Sequence, residues 1–421
     1  MNYRFFAPLL ILVLILACGD SHKEELGEQE QVVSTGEVTF LSPIKIDSTS
    51  FDNGSEHFLN RIASLDSEVY QKNRIYLYNR EGLIVASVDT LGNFVKKITQ
   101  RGDGPGELIV ARSAKAWQNS KGDLYVLTNA NAYSLYVFDT NGNYRYVIRL
   151  YQELKDQYHS VSSSFHISEK VDGRFKLTLG INTNSSSPYK KDFYTRQPSL
   201  AQFIIDDNQE RVISKNTYWP YTDIPEVKSA LEAGKLCWSG SEARFDIQDD
   251  NIYLTYPFLR KVYKLNQRFE LEATYELQTL AGYKGGYCRD LAAKAPENTY
   301  ERTYRQYHTY LSNLHIRDIQ VMDELIMLQF VVPMEESKFL PNFPTAAQAR
   351  DIGAYQGFFQ PRDMYWVIFN TDTGQEKVVR LSDEHRQGVF LDKNRLLVEK
   401  VLDDVEDRYL VKYRLDHPIS D

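Results

Sequence analysis

Several things are scarce or missing in this sequence, and each absence excludes a class of protein. Three cysteines among 421 residues are too few for a disulfide-built scaffold. Positive charge is never clustered, and the formal net charge is -8, so a nucleic-acid partner, which needs a basic surface against phosphate, is not expected. No His-Glu-x-x-His, nucleophile elbow, Walker loop or paired cysteines at metal spacing occurs. The eight histidines are scattered, and His308 and His315 flank a helix-to-strand change without suggesting a metal. The longest apolar run, Phe5 to Leu16, falls short of the roughly 20 residues that cross a bilayer as a helix.

What is present begins at that run. Arg4 precedes it and small residues end it, the pattern of a secretory signal peptide. Ile15, Leu16, Ala17 and Cys18 resemble the bacterial lipobox, which implies lipidation of Cys18 as the mature N-terminus; the alternative is ordinary secretion with an unpaired thiol. The next stretch, "GDSHKEELGEQEQVVSTG", is polar and acidic with almost nothing to bury, so it reads as a tether. Its flexible reach is roughly 25 Å. Lys23-Glu24-Glu25 resembles the signal that sends Bacteroidetes lipoproteins to the outer surface of the outer membrane; a periplasm-facing anchor is the alternative. The expected organisation is signal peptide over 1–17, tether over 18–36 and one folded unit over 37–421. Cys237 and Cys288 remain as a possible disulfide pair, with connectivity dependent on their distance.

A chain of this length holds two domains or grows by repetition, and its 29 tyrosines can fill a large core. Strand signals recur in fours. "ARSAKAWQ", "LYVLTNA", "YSLYVFD" and "YRYVIRL" are separated by "NSKGD" and "TNGN"; "RIASLDSEVY", "RIYLYN", "GLIVASVD" and "FVKKIT" precede them with the same grammar. More degenerate copies follow, with second strands starting near Arg74, Asp123, Arg174, Asn251, Glu324 and Arg395. Six four-stranded antiparallel meanders predict an all-β, six-bladed β-propeller. The sixth copy lacks its outermost strand, so residues 37–46, "EVTFLSPIKI", are expected to close the ring. "RGDGPGEL" occupies the first crossover between blades, where glycine permits positive φ and proline fixes its own. With a strand rather than a helix following, it is a structural crossover and not a phosphate cradle.

The "LYVFDTNGNYRYVIRL" strand pair together with "RGDGPGEL" resembles six-bladed NHL-type propellers, and more closely the uncharacterised propeller lipoproteins common in Bacteroidetes. The good match spans about residues 68–150. That resemblance implies a lipid-anchored envelope protein; NHL-type propellers mostly bind proteins, peptides or nucleic acid, and a few relatives are enzymes.

The long segments all fall where one end of a propeller emerges. Residues 182–199 and 333–363 join second to third strands, and residues 215–240 and 278–307 are blade-to-blade crossovers. Long loops in a compact domain usually carry function. Tyr194, Arg196, Trp219, Tyr221, Trp238, Tyr283, Tyr287 and Arg289, with Tyr189, Lys190 and Lys191, suit recognition, because aromatic and arginine side chains bury much area with few rotamers frozen; the alternative is that they pack the insertions onto the blades. Tyr300, Tyr304, Tyr307 and Leu311 share a helix face and read as packing.

His166, Asp246 and Asp318 are expected on innermost strands facing the channel. Resemblance to calcium-dependent lactonase propellers would make such residues cation ligands, but with only two carboxylates no metal or other cofactor is assigned. The function expected is that of a non-enzymatic binding protein that recognises a protein, peptide or glycan outside the cell through its looped face. A hydrolase or lyase at the channel mouth and a structural subunit of an envelope complex are the alternatives.

Overall fold

Strands such as "LYVLT", "SLYVF" and "LIMLQFV" are apolar throughout, which suits a strand covered on both faces rather than one with a wet side. The computed structural model describes residues 39–41, 43–50, 74–78, 85–89, 94–99, 102, 104–108, 114–119, 121–128, 134–154, 160–169, 173–182, 191–196, 198–238, 242–283, 285–293, 299–343, 345, 364–381, 385–401 and 408–415. Strands β1 (Thr39–Leu41) and β2 (Pro43–Ser50) come first. Next, β3 (Arg74–Tyr78), β4 (Val85–Asp89) and β5 (Phe94–Thr99) form a three-stranded sheet. The second sheet is β6 (Ala114–Gln118), β7 (Leu124–Thr128), β8 (Ser134–Phe138) and β9 (Tyr144–Arg149), followed by the short helix α1 (Leu150–Leu154).

The third sheet is β10 (Ser160–Glu169), β11 (Arg174–Asn182), β12 (Pro198–Asp206) and β13 (Arg211–Pro220), with α2 (Lys191–Arg196) between β11 and β12. Helix α3 (Pro225–Glu232) and β14 (Lys235–Trp238) lead into the fourth sheet: β15 (Arg244–Gln248), β16 (Asn251–Thr255), β17 (Lys261–Leu265) and β18 (Leu271–Glu276). Then come β19 (Tyr287–Asp290) and α4 (Thr299–Ser312). The fifth sheet holds β20 (His315–Met322), β21 (Leu325–Val331), β22 (Met364–Asn370) and β23 (Glu376–Leu381), with α5 (Glu336–Phe339) after β21. The chain closes with β24 (His385–Asp392), β25 (Arg395–Val401) and β26 (Arg408–Leu415).

The architecture is an all-β propeller of four-stranded antiparallel sheets. Its blade count departs from expectation: among the described residues five sheets reach four or more strands, not six. The first repeat contributes only β3 to β5, because the stretch expected as its inner strand, residues 61–70, lies outside the described residues. The N-terminal segment also differs from the single closing strand expected. Thr39–Leu41 pairs in parallel with β23 of the fifth sheet, whereas Pro43–Ser50 pairs antiparallel with β26. The leader, the tether and Cys18 lie outside the described residues. Among the described residues no helix is long and apolar enough to cross a membrane.

Burial falls from the middle of each blade to its rim. Strands β7, β8 and β21 are buried at every position, while β18 is mostly exposed and β13 has a single buried position. Apolar clusters fill the spaces between blades. One joins Leu135, Val137 and Tyr146 to Phe165, Leu177 and Phe203; another joins Tyr253 and Val262 to Ile326, Leu328 and Val367. The innermost strands are also tied by polar side chains that imitate a strand partner. Gln320 donates to the Phe390 carbonyl at 3.0 Å and accepts from the Phe390 amide at 2.8 Å.

The glycine-rich loop is a self-supporting crossover. The Gly102 amide donates to the Leu108 carbonyl at 3.2 Å, the Gly104 amide to the Glu107 carboxylate at 2.9 Å, and Leu108 is fully buried. Gly106 needs its missing side chain twice over: φ is +78°, and a Cβ there would lie 2.7 Å from Cβ of Tyr144.

Candidate functional site

Alternation of strand direction sends the first-to-second and third-to-fourth turns to one end of the propeller and the other connections to the opposite end. At the first end the turns are short and closed by their own residues. Oδ1 of Asp139, Asp206, Asn266 and Asn370, each at or near the end of a third strand, accepts backbone amides two to four residues ahead at 2.8–3.1 Å. These are Asx turns, in which a short polar side chain takes over the bonding of a tight reversal.

At the opposite end the insertions meet one another. Phe193 and Tyr194 of α2 pack edge-on against Tyr221 in the third-to-fourth crossover, with ring centroids 5.4 and 5.6 Å away. That crossover supplies β14, which pairs with β19 from the next crossover, Cys237 directly opposite Cys288. A disulfide joins them, with the Cα atoms 4.1 Å apart. Helix α4 then packs on the insertion of the fifth sheet: Tyr304 lies 5.0 Å from Phe343, His308 5.4 Å from Phe339, and the Met334 amide donates to the Leu311 carbonyl at 2.7 Å. Four separate excursions of chain thus form one continuous canopy.

The sequence-selected residues sit inside this canopy rather than on it. Tyr194 and Tyr221 are fully buried, and Trp219, Trp238 and Tyr283 are buried as well. Trp219 belongs to the end of β13, not to a loop, because that strand continues to Pro220 and its partner Pro198. Tyr283 packs between the fourth and fifth sheets. Tyr194, Trp219, Tyr221 and Trp238 fasten the insertions to the fourth sheet through Tyr256, Phe258 and Tyr263, which the sequence reading passed over as ordinary strand or turn residues. Their one visible signal was a run of three aromatics spaced around "TYPF". Tyr287 lies in β19 opposite Trp238, and Arg196 ends α2; their side chains lie outside the described residues, as do Tyr189 and Lys190 entirely. Arg289 is half-buried and donates to the Ala293 carbonyl, while Lys191 is exposed.

Polar ties reinforce the docking. Tyr263 donates to Glu226 at the start of α3, and Lys261 bridges Glu226 at 2.6 Å and Glu276 at 2.7 Å. Burial raises the Glu226 carboxyl, but the bonds from Lys261 and Tyr263 outweigh it and leave the group below the usual carboxylate range. Burial, then the bond to Glu226, holds the Tyr263 hydroxyl protonated far above its ordinary value.

Under the canopy, at the start of the innermost strands, Arg244 of β15 pairs with Glu242 at 2.8 Å. Tyr310 of α4 stands edge-on 5.1 Å from His315, the first residue of β20, and Phe258 contacts both rings. Burial, then the charge of Glu242, pushes the Tyr310 hydroxyl up to about 12. This mouth, an Arg244–Glu242 pair beside aromatic rings, was not selected from the sequence, because its members are separated by up to 73 positions and meet only through the blade order.

The channel positions have a structural use. Both oxygens of Asp246 accept backbone amides, from Ile247 and from Val321 of the neighbouring β20, each at 2.8 Å. Asp318 and His166 are half-buried on β20 and β10. Among the described residues no group of three or more His, Cys, Asp or Glu could hold a metal.

No family model matches the chain, and no curated protein matches it. Its fold is similar to that of a DUF4221 family member from Bacteroides vulgatus, with TM-score 0.60 at 10% identity over 90% of this chain and 99% of that one. A Bacteroides fragilis protein designated as exported gives TM-score 0.46 at 13% identity over 90% and 95%. A structure described as the Dos1 propeller gives 0.39 at 10% over 81% and 75%. What the first of these likenesses shows is the shared fold, an all-β propeller built of four-stranded antiparallel sheets.

Proposed function

We propose that this chain is a lipid-anchored envelope protein that binds a protein, peptide or glycan through the canopy end of its propeller. In this reading the three-stranded first sheet is the sixth blade of an NHL-like ring, and β2 closes that ring by supplying the outer strand beside β26. Cys18 carries the lipid, the acidic tether spaces the propeller from the outer membrane, and the canopy faces outward. The carrying observation is the asymmetry between the two ends: four insertions joined into one surface at one end, self-closed turns at the other. Ordering that much loop costs conformational entropy, which a fold with no use for the surface has no reason to bear.

The binding residues in this reading are the exposed ones above the buried aromatics, including Lys235, Lys338 and Leu340, of which Leu340 is 40% exposed. The test is capture from envelope extract and a glycan array, using the detergent-solubilised full chain. Lys235→Glu combined with Lys338→Glu and Leu340→Asp is expected to abolish capture, whereas Arg268→Glu on the turn end is expected to leave it intact. Capture that survives the canopy changes and disappears with Arg268→Glu would place recognition at the wrong end.

A further inference from the structure

The canopy contains a covalent link whose position goes beyond the binding reading and concerns control of that surface. Among the described residues, strands β14 and β19 form a two-stranded sheet, and such a pair is at best marginal alone in water. Alternation along β14 turns Leu236 and Trp238 inward, both buried, and leaves Lys235 exposed and Cys237 half-buried on the other side. Opposite Cys237, Cys288 is exposed. The disulfide therefore lies on the solvent side of the ribbon. It also brackets the whole fourth sheet, since residues 244–276 fall within the 51-residue separation of the two cysteines.

The ribbon is connected to the mouth beneath it. Trp238 follows Cys237 and stands edge-on 5.3 Å from Phe258. Phe258 in turn lies 5.3 Å from Tyr310 and 5.7 Å from His315. On the other strand, β19 is held by its pairing to β14 and by the Leu291 amide donating to the Gly234 carbonyl at 2.7 Å. Once the cross-link is gone, β19 depends on those four residue pairs, that flanking bond and the packing of Leu291 on the cluster that holds Trp238.

We propose that Cys237–Cys288 is a redox switch that sets the order of the canopy and of the Phe258–Tyr310–His315 mouth, and that a protein dithiol operates it. A thiolate of that dithiol attacks Sγ of exposed Cys288, and the S–S bond breaks with Cys237 Sγ leaving as thiolate and taking up a proton. The second thiol of the dithiol then resolves the mixed disulfide, releasing Cys288 as a thiol. Two electrons and two protons pass to the cystine, and the dithiol is oxidised to its own disulfide.

The experiment treats the folded full chain with dithiothreitol, and in parallel with a thioredoxin-type dithiol, then measures native-state alkylation and amide hydrogen exchange. Both thiols are expected to become alkylated without denaturant. Protection in residues 285–293 and 299–314 is expected to fall by about tenfold or more while residues 364–381 keep theirs, the behaviour of a local rather than a global opening. Cys237→Ser with Cys288→Ser, if it folds, should match the reduced protein and ignore the reductant; the wild-type measurement stands without it. A disulfide that yields only in denaturant overturns the proposal. So does reduction with unchanged exchange at 299–314, and so does reduction that unprotects every sheet together, which would make the link a staple for the whole fold.

Discussion

The two ends of this propeller solve the same problem, reversing a chain at the edge of a sheet, by opposite means. At the turn end each reversal is closed within about five residues by its own side chain: Asn370 Oδ1 accepts the amides of Asp372 and Thr373, both at 2.9 Å, and the turn of the neighbouring strand pair adds one acceptor, the Glu324 carbonyl, for Thr371. At the canopy end local bonds, such as that from Arg289 to the Ala293 carbonyl, are joined by long-range ones. Glu226 is fixed by Tyr263 37 positions away, and the amides of Gln278 and Thr279, in the crossover that follows β18, by Glu376 almost 100 positions away. Local closure gives robust, independent turns; long-range closure gives a surface whose parts depend on one another and can be loosened together.

The largest expected effect breaks that dependence at its centre. Tyr221 is fully buried against Phe193, Tyr194 and Tyr256. Tyr221→Ala should cost about 3–5 kcal/mol, read by urea unfolding, with exchange protection lost over α2 and α3 before any turn at the other end. Next is Glu376→Ala. This side chain is 5% exposed and accepts the amide of buried Thr279 at 2.8 Å as well as that of exposed Gln278, so its loss strands one buried donor at about 1–3 kcal/mol. Equal exchange protection at 277–283 in variant and wild type would contradict this. Asn370→Ala at the turn end should cost only about 1 kcal/mol, with no exchange change beyond 370–376. A canopy-wide effect there would erase the distinction between the two ends.

The smallest effect is a pH dependence confined to α3. Because the folded Glu226 carboxyl sits below its ordinary value, it contributes stability that is present above the ordinary carboxylate range and is lost as pH falls through the folded value. Exchange over 225–232 should therefore quicken on acidification in the wild type. In Glu226→Gln it should be quick already and insensitive to pH over the same range.

The same division governs what could be read in advance. Strand starts at Arg74, Arg174, Asn251 and Arg395 fall where the polar turns before them indicate, because a tight turn and the alternation beside it are fixed by neighbours a few residues apart. The crossover at Gly102 to Leu108 was legible for the same reason. The canopy was not. Trp219, Tyr221 and Trp238 looked like exposed anchors in polar loops, yet their environment is made by Tyr256, Phe258 and Tyr263 on another sheet. No local pattern distinguishes an aromatic that faces solvent from one that meets a partner folded over it. The split of the N-terminal segment between β23 and β26 was equally hidden, since edge pairing is set by which strand edge is left open in space.

By itself the sequence determined the repeated antiparallel meanders, the polarity of their turns and the end from which the long segments emerge, all consequences of side chains acting over a few residues. Tertiary structure alone decided that β1 and β2 pair with different sheets, that Cys237 meets Cys288, and that the canopy aromatics point inward. Those outcomes depend on surfaces brought together from distant parts of the chain, where burial of apolar area outweighs any preference a local stretch can express.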